Sequence, residues 1–397
     1  HFILILGWCC YHDLVLSQSR RAGSLAGRTL LDIVYDKARA GVDVRVLLFH
    51  QAVREGFRVA RSSWVAPVLN PVLDGLPMGR FLRWPSVEQW LRERANPDAA
   101  SVELTRDAIL DLNLPNARCE LDTGNRLRGS HHNKVWIVNG SEGLIAFYGG
   151  VDFNPDRLRR TSVGRPMHDV HARVRGPAAE SLLEQAIVRW NNARLAFRTR
   201  FREWLANQVD LPPTPGRRVE DWSRFRVHST QPRGSALVHA CQTIGNPEIA
   251  ALSSPAQHSD IWPELRTAIR AARRFIYIED QYLWSLDAAR ELGQALSHIA
   301  HLTILIPPDP TGSGLNLRRT ALTTLWEAAG SAENRRKIGI YQRTGDDHNY
   351  IHAKMLIFDD EYALVGSANM NRRGYSHDGE TGCGAVDGWR ELVYQNS

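Results

Sequence analysis

The chain has 397 residues, of which 43% are hydrophobic and 23% are charged, a composition typical of a folded globular protein with room for two domains. Basic residues exceed acidic ones by six, which favours an anionic partner such as a phospholipid headgroup, a membrane surface or a nucleic acid without choosing among them. Five irregularly spaced cysteines argue against a disulfide framework and a zinc site, and the lack of an apolar run of about 18 residues predicts no transmembrane helix.

Two stretches of the chain repeat the same order of predicted elements. An apolar run at residues 2–9 is followed by a helix-like stretch and a second apolar run at residues 41–48. Residues 275–282 and 302–306 repeat this order in the second half. Each half then continues through a variable insert to a strand, a turn and another strand. This alternation predicts an α/β protein with a mixed sheet in each half.

The beginning of the first repeat is shorter than that of the second. A helix is predicted at residues 261–274, immediately before the first strand of the second half, whereas the first half begins almost inside its strand. We therefore expect a helix to precede His1 and the chain to be a fragment, and its end soon after Trp389 is also expected to be short.

The halves are expected to meet at the proline-rich stretch 211–216, which also fits an internal loop of one domain. This division gives an N-terminal half of residues 1–210 and a C-terminal half of residues 211–397. The first half carries a long insert at about residues 52–128 that contains Trp64, Trp84 and Trp90. Packing of these tryptophans in a subdomain core is favoured over their lining an apolar binding mouth.

Lysine is rare in this chain, and half of the lysines share one pattern. Four of the 49 basic residues are lysine, and two of the four stand two places after a histidine, in His132-Asn133-Lys134 and His352-Ala353-Lys354. A compact ammonium group is indicated where lysine is kept among so many arginines. Residues i and i+2 of a strand share a face, so each pair presents an imidazole beside an ammonium.

Each His-x-Lys triplet opens the same longer pattern, which ends in a small-residue corner. The first corner is Gly149-Gly150-Val151-Asp152 and the second corner is Gly366-Ser367-Ala368-Asn369. From residue 139 to 149 is ten steps and from 359 to 366 is seven, so the first copy has three extra residues, which fall in its 139–143 turn.

This duplicated pattern resembles the phospholipase D superfamily, whose mark is two His-x-Lys-x4-Asp motifs, each followed by Gly-Gly or Gly-Ser and then Asn or Asp. The resemblance spans most of the chain and is specific because both copies agree at matched offsets. The first copy departs from the family at Asn139, which replaces an aspartate of largely structural role. Because an Asn-Gly pair favours a turn, we expect an effect on stability more than on activity, with an impaired first motif as the alternative.

The resemblance implies two α/β/α sandwich halves related by a pseudo-twofold axis, with mixed β-sheets and one shared active site. It also implies that one histidine attacks phosphorus to give a covalent phosphohistidine while the other protonates the leaving group. We assign His132 as the nucleophile and His352 as the general acid and base. Lys134 and Lys354 would bind the non-bridging oxygens, so the site would need neither a metal nor another cofactor.

The resemblance adds four further candidate catalytic residues. Asp152 and Asn369 of the two corners are expected beside the phosphate and the imidazoles. Glu380, 28 residues after His352, and Asp169, the candidate for His132, are expected to orient the imidazoles.

The other histidines and arginines of interest are not assigned to the site. His131 is expected to face away from His132, and a metal site at His168 and His171 is disfavoured because no cysteine or carboxylate cluster completes it. The arginine clusters 157/159/160 and 198/200/202 are interpreted mainly as solvated helix faces.

Residues 279–282 and 189–191 resemble segments of the lipid-acting members of the superfamily. The leading hypothesis is a metal-independent phospholipase D or transphosphatidylase, with a phospholipid at a membrane surface as substrate and water or an alcohol as acceptor. The alternatives are a cardiolipin synthase-type transferase, a nuclease and an inactive scaffold, and no obligatory nucleic acid is expected. We expect a monomer in the cytoplasm or at the membrane periphery, since no signal peptide is visible.

Overall fold

The structure is a computed structural model that describes residues 1–17, 26–50, 97–122, 129–157, 166–193, 222, 227, 235–245, 259–308, 314–343, 350–386 and 393–395. The predicted boundary at 211–216 and the three tryptophans Trp64, Trp84 and Trp90 lie outside these residues. None of the described helices is both long enough and apolar enough to cross a membrane.

The first half alternates strands and helices in the predicted order. Its elements are β1 (Phe2–Gly7), α1 (Leu30–Arg39), β2 (Asp43–Phe49), α2 (Pro97–Asp111), β3 (Ala117–Asp122), β4 (Val135–Gly140), β5 (Gly143–Gly149), a 3-10 turn (Pro155–Arg157), β6 (Val170–Arg175) and α3 (Pro177–Ala193).

The second half repeats this order with one strand in front. Its elements are β7 (Leu237–Thr243), α4 (Ile261–Ala271), β8 (Phe275–Asp280), α5 (Leu286–Ala295), β9 (His301–Leu305), α6 (Gly314–Ala328), α7 (Ala332–Arg335), β10 (Ile338–Tyr341), β11 (Lys354–Phe358), β12 (Tyr362–Gly366), α8 (Arg372–Ser376), β13 (Glu380–Val386) and β14 (Val393–Gln395).

Within the described residues these strands form two mixed sheets of seven strands each, in the orders β14-β6-β5-β4-β1-β2-β3 and β10-β9-β8-β11-β12-β13-β7. Each sheet has three mutually parallel strands, one of which begins the repeat, and four further strands that pair antiparallel. The predicted α/β class with a mixed sheet in each half is thereby confirmed. The last described strand, β14, pairs with β6 of the first sheet. The first sheet therefore contains a strand from the C-terminal part of the chain.

Part of the range predicted as an insert belongs to the repeated unit. Residues 97–122 form α2 and β3, and β3 pairs in parallel with β2. In the second half β10 pairs with β9 in the same way. The end of the predicted insert therefore supplies the edge strand of the first sheet.

The two sheets share a hydrophobic core. Alternation along β11 places Met355 and Ile357 in a central cluster, together with residues of β1, β4 and β5 from the first sheet. Leu356, between them, belongs instead to an outer cluster with residues of α4 and α5. Trp190 of α3 is fully buried in the central cluster and lies edge-to-face with Trp222, at 6.4 Å between ring centroids.

The two motif hairpins turn differently. Asp359 and Asp360 have positive φ angles of 59° and 60°, a conformation that aspartate tolerates, and form the β11–β12 turn. Asn139 does not form the Asn-Gly turn expected from the sequence. It is buried within β4, opposite Phe2 and Leu144, because both neighbouring strands pair with it.

Candidate active site

The two histidine motifs come together where the two sheets meet. Short parallel bridges join the halves beside each motif, between residues 131 and 379 and between residues 168 and 351. The backbone N–H of His132 donates to the carbonyl of Gly379 at 2.8 Å, and that of His352 donates to the carbonyl of His168 at 2.7 Å. Each motif histidine is therefore held by the backbone of the other half.

Each imidazole also takes its carboxylate partner from the other half. Nδ1 of His132 lies 3.0 Å from both carboxylate oxygens of Glu380, and Nδ1 of His352 lies 2.7 Å from Oδ2 of Asp169. The sequence-based assignment of Asp169 to His132, with Glu380 allotted to the second motif, was wrong. The bridges between the halves are the physical reason, since they place residue 380 beside 132 and residue 169 beside 352.

A hydrogen bond from Nδ1 to a carboxylate leaves the lone pair of Nε2 available for chemistry. Burial, together with Lys134 and Lys354, lowers the pKa of His132 well below its usual range. Burial, Arg157 and Lys354 do the same to the pKa of His352. These shifts favour neutral imidazoles at both positions.

The pKa of Glu380 shifts in the opposite direction from the pKa values of the two histidines. Burial, and next to it the charge of Asp378, raises the pKa of Glu380 well above its usual range, so a lone negative charge on this carboxyl group is disfavoured. Ser367 Oγ donates a hydrogen bond of 2.5 Å to Glu380. A positive charge that develops on the adjacent imidazole would offset the cost of ionising Glu380.

The two motif lysines are buried but have different neighbours. Nζ of Lys134 donates to the carbonyl of His132 at 3.0 Å and lies 3.2 Å from the Asp152 carboxylate. Nζ of Lys354 donates to the carbonyl of His352 and to Oε1 of Gln281, the latter at 3.3 Å. Burial lowers the pKa of Lys354 to about 7.

The two corners supply the remaining predicted residues. Asp152 accepts hydrogen bonds from the backbone N–H groups of Trp8 at 3.0 Å and Cys9 at 3.4 Å. Oδ1 of Asn369 is buried and has no hydrogen-bond partner within the described residues, so it is available to a ligand. A Cβ atom at Gly150 would collide with the Asp169 carboxylate, which explains why glycine stands there.

Arg157 was missed from the sequence, where its cluster was interpreted mainly as a solvated helix face. Its side chain is only 7% exposed and contacts both His352 and Asp169. The sequence feature that could have identified Arg157 is its position in the short segment between the first corner and Asp169. The other arginines of the two clusters lie outside the described residues.

His131, His168 and His171 each have separate neighbours. His131 is fully buried with Nδ1 3.1 Å from Asp122. Nε2 of His168 lies 2.6 Å from Glu279, whereas the His171 ring packs 4.3 Å from that of Trp136, between centroids. Within the described part of the chain, no three His, Cys, Asp or Glu side chains are grouped to hold a metal ion.

Comparisons with known proteins place the sequence near enzymes of one superfamily. A family model described as "Cardiolipin synthase, PLD-like domain" matches residues 265–392. The chain is 24% identical to phospholipase D alpha 1 of Carica papaya, over the whole chain and 60% of that protein. It is 26% identical to a cardiolipin synthase of Listeria welshimeri, over 63% of the chain and 43% of that protein.

A solved structure has the same fold. The phosphatidylserine synthase of Haemophilus influenzae Rd KW20 aligns with a TM-score of 0.56 and 13% identity, covering 98% of this chain and 78% of that one. This likeness concerns the fold, since the identity is low.

Proposed function

We propose that the chain, a member of the phospholipase D superfamily, is a metal-independent phosphodiesterase and transphosphatidylase. In this proposal it removes the headgroup of a glycerophospholipid. The observation that carries this proposal is the pair of imidazoles, each with a carboxylate at Nδ1 and a buried lysine beside it. The chain spans 60% of the papaya relative, so its activity and substrate are inferred from its own site as well as from that similarity.

In the first step, Nε2 of His132 attacks phosphorus as the bond from phosphorus to the headgroup oxygen breaks. The electron pair of that bond goes to the oxygen, which takes a proton from Nε2 of His352. The product is a phosphatidyl group on His132, and Glu380 balances the positive charge of the substituted ring.

In the second step, His352 acts as a base. It takes a proton from water or an alcohol, whose oxygen attacks phosphorus as the bond to His132 breaks. Water gives phosphatidate, and an alcohol gives a new phosphodiester. Exclusion of water from the acceptor side decides between the two products.

Charge complementarity supports these roles. Lys134 and Lys354 stabilise the non-bridging oxygens as phosphorus becomes five-coordinate. Burial and the nearby cations lower the pKa of His352. A bound phosphodiester anion raises it again, so the acid gains its proton when the substrate is present.

A second candidate is transfer to a lipid alcohol, as in cardiolipin synthesis. It is favoured by the family model over residues 265–392 and by the Listeria relative. Both candidate functions use the same catalytic residues and a phospholipid at a membrane surface. Both would operate in a monomer, because one chain supplies both histidines, both lysines and both carboxylate partners.

The test is headgroup release from mixed phospholipid vesicles in EDTA, with and without ethanol. We expect release that resists EDTA, forms phosphatidylethanol and is lost in His132→Ala and His352→Ala. His298→Ala, at an exposed histidine three residues after α5, is the matched control and should retain activity. Cardiolipin formation from phosphatidylglycerol would favour the second candidate.

A separate experiment identifies which of the two histidines is the nucleophile. Acid-free quenching followed by peptide mass mapping should find the phosphatidyl adduct on His132 and should find more of it in His352→Ala with an activated lipid. An adduct on His352 would reverse the assignment. Cleavage of DNA or RNA without lipid turnover would refute the proposed substrate class.

A further inference from the structure

Arg157 is a buried arginine on the side of His352. It ends the 3-10 turn Pro155–Arg157, five residues after Asp152 of the first corner. Its side chain is 7% exposed, which is rare for an arginine unless its charge has a defined partner. Nη1 lies 2.9 Å from Asp156 and donates to Met167 Sδ at 2.8 Å, which anchors the guanidinium at one end.

The other end of the guanidinium reaches the pair of His352 and Asp169. Nε of Arg157 lies 3.2 Å from Oδ2 of Asp169, the same oxygen that is 2.7 Å from Nδ1 of His352. Nη2 is 3.3 Å from both ring nitrogens of His352. Equal distances to the two nitrogens describe a contact with the whole ring, so Arg157 limits the ring's orientation and shares its carboxylate.

The first motif has no such arginine at the equivalent position. Five residues after Asn369, the second corner places Gly374, whose backbone N–H caps α8 by donating to Asn371 at 2.7 Å. The two halves therefore match in histidine, lysine and carboxylate but differ in this cation. A site built from two equivalent motifs needs such a difference if each histidine is to have its own role.

We propose that Arg157 is a positioning residue that commits His352 to general-acid catalysis, an inference that rests on the proposed function. It fixes the ring and Asp169 in one arrangement, and its charge makes the protonated ring a stronger acid. The leaving-group oxygen then receives its proton from the His352 side, while His132 is left to attack phosphorus.

The charges around His352 support this direction. The groups that face it are Asp169, Arg157, Lys354, Lys134 and His132. Burial lowers the pKa of His352 most, and Arg157 is the next contribution, ahead of Lys354. Loss of the arginine charge would raise the pKa of His352, and Asp169, no longer shared, would raise it further.

The experiment compares Arg157→Gln and Arg157→Lys with the wild type on two lipids in the same mixed micelles. Phosphatidylcholine has a leaving alkoxide that needs a proton, whereas phosphatidyl-p-nitrophenol releases a phenolate that needs none. We expect Arg157→Gln to lower kcat on phosphatidylcholine about tenfold or more, since a positioned general acid contributes about 10²–10⁴-fold. Turnover of the nitrophenyl lipid should change little.

Two further readouts separate this role from simple loss of structure. The alkaline limb of the kcat profile for phosphatidylcholine should move to higher pH by about one unit in Arg157→Gln, because a neighbouring positive charge is gone. Arg157→Lys, which retains the charge, should keep the limb near its original pH and recover part of kcat. Arg290→Gln, at an exposed arginine of α5, serves as the control and should match the wild type.

Equal losses on both lipids with an unmoved alkaline limb would overturn the inference and leave the proposed function intact. A wild-type chain that is inactive on both lipids would overturn the proposed function and this inference together. Should Arg157→Gln fail to fold, Arg157→Lys decides alone. A loss confined to phosphatidylcholine supports the inference, and a loss on both lipids overturns it.

Discussion

At the scale of single residues, the two motif lysines are the clearest example of equivalent positions with different chemistry. Lys134 lies 3.2 Å from a carboxylate, Asp152. The residue at the matching place in the second corner is Asn369, which carries no charge. The charges of Asp169 and Asp280 raise the pKa of Lys354 less than burial lowers it. Burial lowers the pKa of Lys354 to about 7. Binding of an anionic substrate therefore depends on whether Lys354 holds its proton at the working pH.

We predict that affinity for an anionic ligand falls as the pH rises through about 7, because Lys354 is protonated below its pKa and neutral above it. The measurement is the Kd of a non-hydrolysable phosphonate lipid between pH 5 and about 9, a range that spans the ordinary pKa of His and the shifted one of Lys354. Above the transition, Kd should rise by up to about tenfold per pH unit.

Lys354→Arg tests the origin of this pH dependence, because arginine stays charged throughout the range. It should remove the rise in Kd even where its bulkier head weakens binding overall. Lys37→Arg on α1 is the matched control and should keep the wild-type profile. A rise in Kd that persists in Lys354→Arg would assign the titration to another group.

At the scale of elements, Asp359 joins the β11–β12 hairpin to the start of β8. Its carboxylate accepts hydrogen bonds from the backbone N–H groups of Arg273 at 2.6 Å, Arg274 at 2.7 Å and Phe275 at 2.7 Å. Burial works against the charged form, but these hydrogen bonds outweigh it and lower the pKa of Asp359. The last residue of the second motif thus has a structural role.

We predict that Asp359→Ala lowers the free energy of unfolding by about 2–3 kcal/mol, the scale of lost hydrogen bonds to a charged group. Asp359→Asn should lose less because it keeps an acceptor oxygen. The folded pKa is depressed, so the charge-dependent stabilisation is present above the unfolded pKa of about 4 and is lost as the pH falls through the folded value.

Urea denaturation of wild type and Asp359→Asn across this pH range measures the effect. Their difference should be largest near neutral pH and vanish in acid. Glu361→Gln, in the same turn with its side chain 77% exposed, should show no such difference. A gap between wild type and Asp359→Asn that stays constant with pH would contradict a role for the carboxylate charge.

At the scale of the whole molecule, the duplicated pattern predicted the order of strands and helices because each apolar run keeps its place in both repeats. The offsets could not predict how Glu380 and Asp169 pair with the histidines. An offset measures distance along the chain, whereas the pairing depends on the bridges between the halves at residues 131 and 168. The role of Arg157 could not be predicted for the same reason, since the burial of its side chain depends on His352 from the other repeat.

The pairing across the halves has a thermodynamic counterpart in the core. The central cluster contains Leu4 and Tyr148 from the first sheet and Met355 and Val365 from the second, all buried. Opening one half would expose the central face of the other, and this exposure costs free energy in proportion to the apolar area. The two halves should therefore unfold as one cooperative unit.

Leu356→Ala tests this cooperativity, because Leu356 packs only in the outer cluster of the second half. We predict that it lowers the free energy of unfolding by about 2–4 kcal/mol, as expected for a buried leucine. The slowest-exchanging amides of β1 in the first half and β8 in the second should lose protection by the same amount. Leu237→Ala, whose side chain is exposed, should change neither. Loss of protection confined to the second half would mean that the two halves unfold separately.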